Sequence, residues 1–125
     1  MYLYGAKDEL NYYIRIGAND NTVTQLVRGN GTLITETPSP GILQCFEPKL
    51  FWISWADDKI QLAPENQDGP RIIDYAEQPL QPIHFVAMSS DVPARWMFSR
   101  DIGMWVLSIC RQMGISESYS YLLLV

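Results

Sequence analysis

The segment formed by residues 51–62 constrains the fold of this chain more than any other. It consists of two alternating runs joined by the two-residue turn Asp57-Asp58. A hairpin closed on that turn pairs Ala56 with Lys59, Trp55 with Ile60, Ser54 with Gln61 and Ile53 with Leu62. In this register the apolar pairs share one face, and a slip of one residue would destroy that agreement. The sequence therefore predicts an antiparallel β-hairpin with one buried face.

Short strands and turns continue along the chain up to residue 99. Further strand-like runs lie at 12–16, 22–28, 32–37, 42–46, 71–75, 83–88 and 95–99. Gly29-Asn30-Gly31 predicts a tight hairpin turn, and the segment 38–41 is the strongest break in the chain. About eight strands spaced roughly ten residues apart predict an all-β fold, a single antiparallel β-sandwich of the jelly-roll kind.

The pattern changes after residue 99. Met104, Leu107 and Cys110 recur at a spacing that would line one face of a short helix. We therefore predict a β-sandwich domain at 10–99 and an atypical tail at 100–125, which is either a short helix or disordered. The tail either docks on the sandwich or continues without packing, and we favour the second interpretation because an unpaired apolar terminus is a liability.

Charge and hydropathy exclude several classes of partner. Nine basic residues stand against fourteen acidic ones, and the net charge is -5. Nucleic-acid binding needs clustered Lys and Arg, whereas here these residues are scattered, so we predict no nucleic-acid partner. No apolar run approaches the roughly 20 residues of a membrane span, and the amino terminus lacks the pattern of a signal peptide.

The residues that carry chemistry in other proteins form no reactive motif here. His84 is the single histidine, and no nucleophile motif accompanies it. Asp57-Asp58 has the composition of a turn more than of a cation site. Cys45 and Cys110 have no metal-ligand spacing, and two free thiols are favoured over one disulfide. We predict no catalytic residue, no metal site and no cofactor.

The candidate site residues are of two kinds. Asn30-Gly31-Thr32 is an N-glycosylation sequon on the tip of a predicted hairpin, where such modification needs its acceptor. The candidate binding residues are Trp52, His84 and Arg95. Core packing is the commoner role of a tryptophan such as Trp52, and a structural or surface role is the commoner one for His84.

Several of these segments together resemble the farnesoic acid O-methyltransferase-type domain, in the form found in alpha-2-macroglobulin and complement-like proteins. The resemblance extends from Tyr12 to about Phe98. It rests on the order and spacing of Tyr12-Tyr13-Ile14-Arg15-Ile16-Gly17, Asn21, Pro40-Gly41-Ile42-Leu43, Phe51-Trp52-Ile53-Ser54-Trp55 with Ile60, and Ile83-His84-Phe85-Val86-Ala87-Met88-Ser89-Ser90.

The resemblance implies two different functions. One is a non-catalytic module of a larger extracellular protein, which binds a protein, a glycan or a lipid-like ligand. The other, implied by the family name, is S-adenosylmethionine-dependent methyl transfer to farnesoic acid. We favour the binding module, because enzymes of the second kind usually hold the cofactor at a Gly-rich strand-to-helix turn of an α/β sheet. The chain has no such turn.

Overall fold

A computed structural model describes residues 1–5, 9–43, 49–64, 70–88, 94–99, 104–109 and 121–124. These residues form eleven strands and one helical turn, α1 (Ala18–Asn21). The strands are β1 (Tyr2–Tyr4), β2 (Leu10–Gly17), β3 (Val23–Arg28), β4 (Leu33–Pro38), β5 (Lys49–Ser54), β6 (Lys59–Pro64), β7 (Ile73–Ala76), β8 (Phe85–Met88), β9 (Ala94–Ser99), β10 (Met104–Ile109) and β11 (Tyr121–Leu124).

The strands form two antiparallel sheets. The first has six strands in the order β11-β8-β1-β2-β3-β4, and the second has five in the order β7-β6-β5-β10-β9. Buried side chains from both sheets make one cluster, so the sheets face each other across a shared core. The cluster comprises Met1, Leu3, Tyr12, Ile14, Leu26, Phe51, Ile53, Ile60, Leu62 and Ile73. The predicted antiparallel β-sandwich is confirmed.

The hairpin formed by β5 and β6 has the predicted register. Ile53 lies opposite Leu62 and Ser54 opposite Gln61. Asp57 and Asp58 have φ of 56° and 57°, which is the left-handed conformation that a two-residue hairpin turn requires of both positions. Ile60 is completely buried, and Trp55 packs against the core cluster beside it. Trp55 is itself only partly buried, so it lies at the margin of this core.

A second hairpin joins β3 to β4 through the turn predicted at Gly29-Asn30-Gly31. The amide of Arg28 donates to the carbonyl of Thr32 at 2.8 Å, which closes the loop. A Cβ atom at Gly29 would lie 1.8 Å from the carbonyl oxygen of Leu10. Only glycine therefore permits β2 and the turn to approach this closely, and the predicted turn is confirmed.

The structure differs from the sequence prediction after residue 100. The helix predicted from Met104 is wrong for Met104–Ile109, which form β10 and pair with both β5 and β9. A short apolar run does not distinguish a helix from a buried strand by its spacing, and pairing on two sides decides for the strand. The expectation that the end of the chain does not pack is also wrong for Tyr121–Leu124, because β11 pairs with β8. The division of the chain at residue 99 stays a prediction.

Two further sequence predictions fall at the limits of the described residues. The strand predicted at 42–46 is absent at Ile42 and Leu43, and the rest of it lies outside the described residues. Cys45 and Cys110 also lie outside them, so their pairing stays a prediction. In the described part of the chain, no helix has the length and apolar character needed to cross a membrane.

Candidate functional site

Three residues that carry the family resemblance meet at one corner of the six-stranded sheet. Asn21 donates from Nδ2 to the carbonyl of Leu43 at 2.6 Å, and its Oδ1 accepts from the amide of Leu43 at 3.0 Å. Gly17 has φ of +73°, and a Cβ atom there would lie 2.6 Å from Cδ1 of Leu43. This part of the family pattern therefore fixes the loop that crosses the end of β2.

The turn α1 supplies the geometry that this corner requires. Asn19, Asp20 and Asn21 have φ of 50°, 57° and 64°, so the turn is left-handed. Asn and Asp tolerate this region because their short polar side chains bond to the nearby backbone. The left-handed turn thus presents the side chain of Asn21 to Leu43.

A polar network connects the two sheets where the buried core meets solvent. Glu77, directly after β7, accepts hydrogen bonds from the hydroxyl of Tyr12 on β2 and from the guanidinium of Arg28 on β3. The second contact is bidentate, because Arg28 also reaches the other carboxylate oxygen of Glu77 from Nη1, at 3.3 Å. The amide of Gln81 donates to the Tyr12 hydroxyl at 3.1 Å. We call these four residues the inter-sheet network.

The network perturbs the protonation of its members. Hydrogen bonds from Arg28 first, and then from Tyr12, hold the pKa of Glu77 below its usual value. Burial, and then the hydrogen bond to Glu77, raise the pKa of the Tyr12 hydroxyl. The fold thus favours an ionised Glu77 and a neutral Tyr12. The charges of Arg28 and Glu77 are paired with each other, and Arg28 also donates to the hydroxyl of Tyr75 at 3.2 Å, so the chemistry of the network is that of a structural link.

Aromatic rings and an arginine lie together on the outer face of the six-stranded sheet. Tyr2 and Tyr13 lie opposite each other in register, with ring centroids 5.9 Å apart and an interplanar angle of 37°. The guanidinium carbon of Arg15 is 5.1 Å from the centroid of the Tyr13 ring, and its Nη2 donates to the Tyr13 hydroxyl at 3.3 Å. Arg15 itself is exposed.

These side chains rest on an apolar base. Val27 lies opposite Tyr13 in register and is 2% exposed, although it belongs to the outer face. Beside it, Gln25 donates from Nε2 to Glu36 at 2.6 Å and adds polar groups to the margin. We define the tyrosine face as Tyr2, Tyr13, Arg15 and Val27. It combines aromatic surface with hydrogen-bonding groups.

The candidate Trp52 lies on the outer face of the other sheet. It is half-buried, and the guanidinium carbon of Arg71 is 4.7 Å from the centroid of its ring. Ala63, opposite Trp52 in register, is completely buried. Arg71 thus occupies one face of the aromatic ring, a contact that sequence reasoning did not anticipate.

The other two binding candidates lie at different sheets, and His84 directly precedes β8, the strand that pairs with β1. Arg95 lies on β9, opposite Ser108, in the same sheet as Trp52. The placement of its side chain is outside the described part of the chain. His84 is exposed, and its backbone amide donates to the carbonyl of Tyr4 at 2.7 Å. The structure therefore does not bring His84 to Trp52, since they belong to different sheets.

Asn30 lies at the exposed tip of the β3–β4 hairpin, as predicted. Within the described residues, no group of three or more His, Cys, Asp or Glu side chains is placed to hold a metal ion. The tyrosine face was missed because β1 was not predicted. The available signal was the alternation of Tyr13 and Arg15 with the buried Tyr12 and Ile14 along β2.

Comparison with known proteins identifies a family but no near relative. Searches of curated proteins and of solved structures returned no match. The sequence profile of the family described as farnesoic acid O-methyl transferase matches residues 4–101, which is more than three quarters of the chain. The matched region extends from the end of β1 past β9 and includes the Asn21–Leu43 corner. The chain therefore belongs to the farnesoic acid O-methyl transferase family.

Proposed function

We propose that this chain is a non-catalytic binding module and that its ligand lies on the tyrosine face. The observation that carries the proposal is the tilted pair of Tyr2 and Tyr13 beside the exposed Arg15. Tyrosine and arginine supply a large share of binding energy at protein surfaces, because each combines broad apolar contact with directed hydrogen bonds. These side chains lie on the outer face of the sheet and are not part of the buried core cluster.

The chemistry of the face favours a glycan over the other ligand classes. A pyranose ring has a flat C–H surface that stacks on an aromatic ring, and a rim of hydroxyl groups that both donate and accept. The tyrosine rings fit the first feature, and Arg15 with the neighbouring Gln25 and Glu36 fits the second. A lipid-like ligand instead needs a cavity that encloses most of its surface.

The wider context of the module is part of the same proposal. Domains of this family type occur as modules in extracellular proteins of the alpha-2-macroglobulin and complement type, and the segment Pro40-Gly41-Ile42-Leu43 resembles that form. We infer that this chain functions within a larger extracellular protein. An exposed glycan-binding face is consistent with that setting.

The alternative function is the methyl transfer that the family description names. It would require the chain to bind S-adenosylmethionine and to direct a carboxylate oxygen at the methyl group. Such sites usually lie where a Gly-rich turn leads from a strand into a helix. Here Gly29-Asn30-Gly31 leads from β3 into strand β4, a geometry that favours the binding module.

Two titrations test the proposal against its alternative. Calorimetry with S-adenosylmethionine is expected to give no saturable heat, and saturable binding would favour the methyl transferase. A glycan array followed by calorimetry is expected to identify a saturable carbohydrate ligand. If the protein bound peptides or lipids in parallel screens but no glycan on the array, the assignment to glycans would be contradicted.

Matched variants then test the surface. Arg15→Ala and Tyr13→Ala are expected to weaken glycan binding about tenfold or more, because truncation of a central tyrosine or arginine at a binding surface costs roughly 1–2 kcal/mol. Trp52→Ala is the control, since it removes an aromatic ring from the outer face of the other sheet. Equal losses in Trp52→Ala and Tyr13→Ala, with both proteins folded by circular dichroism, would disprove the location.

A further inference from the structure

We infer that Asn30 accepts an N-linked glycan and that this glycan covers the exposed Leu33 at the edge of the six-stranded sheet. The inference does not depend on the ligand proposed for the tyrosine face, but it rests on the extracellular setting proposed above, because N-linked glycans are added to secreted chains. It rests on the geometry of the β3–β4 hairpin tip and on the position of β4 in the sheet.

The sequence supplies the acceptor. Asn30-Gly31-Thr32 is the one sequon in the chain. In the transfer, Nδ2 of Asn30 forms a bond to C1 of an oligosaccharide that is carried by a lipid pyrophosphate. The bond between C1 and the pyrophosphate oxygen breaks, the lipid pyrophosphate leaves, and the amide proton passes to a base of the transferase.

The hairpin orients the acceptor side chain. Oδ1 of Asn30 accepts a hydrogen bond from the backbone amide of Thr32 at 3.0 Å. Since the side-chain amide is planar, this bond directs Nδ2 away from the Thr32 amide. The amide of Gly31 donates to the carbonyl of Arg28 at 2.9 Å, which adds a second hydrogen bond within the tip.

The tip also has room for a bulky substituent. Asn30, Gly31 and Thr32 are all exposed, and a Cβ atom added at Gly31 would meet no atom within 4 Å. The other side of the turn is closed, because Gly29 packs directly against the carbonyl of Leu10. A glycan on Asn30 would therefore extend from the open side of the tip.

The neighbouring strand gives the glycan a physical role. β4 is an edge of the six-stranded sheet, and it begins at Leu33, three residues after Asn30. Leu33 is 50% exposed and is the one exposed large apolar side chain among the residues whose side-chain exposure the structure describes. An exposed apolar side chain on an edge strand favours pairing with other chains unless something blocks the approach. A hydrated glycan at the tip would block that approach.

Expression of the full chain behind a secretion signal tests occupancy. Wild type and Thr32→Ser are expected to show a mass increase that N-glycosidase removes, whereas Asn30→Gln and Thr32→Ala should lack it. Thr32→Ala leaves Asn30 in place, so it separates loss of the sequon from loss of the side chain. Folded wild-type protein recovered without a glycan would overturn the inference.

Sedimentation of the same proteins tests the covering role. Glycosylated wild type is expected to remain monomeric at concentrations where Thr32→Ala associates, and adding Leu33→Lys to Thr32→Ala should restore the monomer. Wild type and Thr32→Ala made in bacteria, which lack this modification, should associate equally. An occupied site whose loss leaves association unchanged would overturn the covering role.

Discussion

The side-chain amide of Asn21 pairs with the backbone of Leu43 through two hydrogen bonds, as a neighbouring peptide group would in a sheet. The side chain of Asn21 thus makes the two hydrogen bonds that the backbone of a neighbouring strand would otherwise make. The loop across the end of β2 is therefore held by one residue of the family pattern, and the same residue adopts the left-handed backbone that the turn needs.

Replacement of Asn21 by alanine should destabilise the fold by about 2 kcal/mol, since two hydrogen bonds to a partly buried backbone are lost. Urea denaturation would measure the change. Asn19→Ala is the matched control, because Asn19 shares the left-handed backbone without the bonds to Leu43. Equal losses in the two variants would show that backbone conformation alone accounts for the effect.

Tyr12→Phe should cost about 1–2 kcal/mol, because the amide of Gln81 and the carboxylate of Glu77 both lose a partner. Tyr12 is completely buried, so water does not readily replace the hydroxyl. Tyr13→Phe should be nearly neutral, since its hydroxyl bonds the exposed Arg15. Thermal unfolding of both variants measures the difference, and the reverse ranking would contradict the assigned role of the network.

Acid should weaken the inter-sheet network through Glu77. Its pKa is lowered in the folded protein, first by Arg28 and then by Tyr12, so the ionised form stabilises the fold at neutral pH. This contribution is fully present above the unfolded pKa, which is about 4.3. It is lost as the pH falls through the lower folded value. Urea denaturation at a series of acidic pH values measures the free energy of unfolding. In Glu77→Gln this free energy should change less steeply with pH than in wild type, and an unchanged slope would contradict this account.

When the 125-residue chain is produced with Met1 as its first residue, the free amino group of Met1 should produce a separate pH dependence at higher pH. It is buried and donates to the carbonyl of Ile14 at 2.9 Å, and burial lowers its pKa from 8.0 to about 5. The unfolded chain therefore binds a proton between pH 8 and pH 5 that the folded chain does not. Stability should fall across this window as the pH decreases, by about 4 kcal/mol in total.

Acetylation of Met1 provides the control for that effect. The acetylated nitrogen keeps one hydrogen that can reach Ile14 but no longer titrates. The acetylated form should thus lack the loss of stability between pH 8 and pH 5 that denaturation of the free-amine form reveals. Parallel pH profiles for the two forms would show that the buried amine is not responsible.

Local sequence patterns predict the hairpins of this fold. They fail for segments whose conformation depends on pairing with strands that are distant in sequence. The register of β5 and β6 follows from Asp57-Asp58 and from the alternation around it, which are all within a few residues. The strand β10 could not be predicted in the same way, because its apolar run also fits a helix and its conformation depends on β5 and β9.

The same difference between local and long-range features applies to the candidate sites. Asn30 is read from three consecutive residues, and its exposed position agrees with the prediction. The stacking of Arg71 on Trp52 and the bonds of Glu77 to Tyr12 and Arg28 join segments that are far apart in the chain. Such contacts depend on the topology of the two sheets, which local residue patterns do not reveal.

The inter-sheet network also has a consequence for the order of folding. Tyr12 and Glu77 are 65 residues apart, whereas the hairpins that carry them form between strands close in sequence. Closing so long a loop is slow, and its cost is recovered only after both hairpins exist. We expect the bonds of Glu77 to form after the rate-limiting step. These bonds would then slow unfolding more than they accelerate folding.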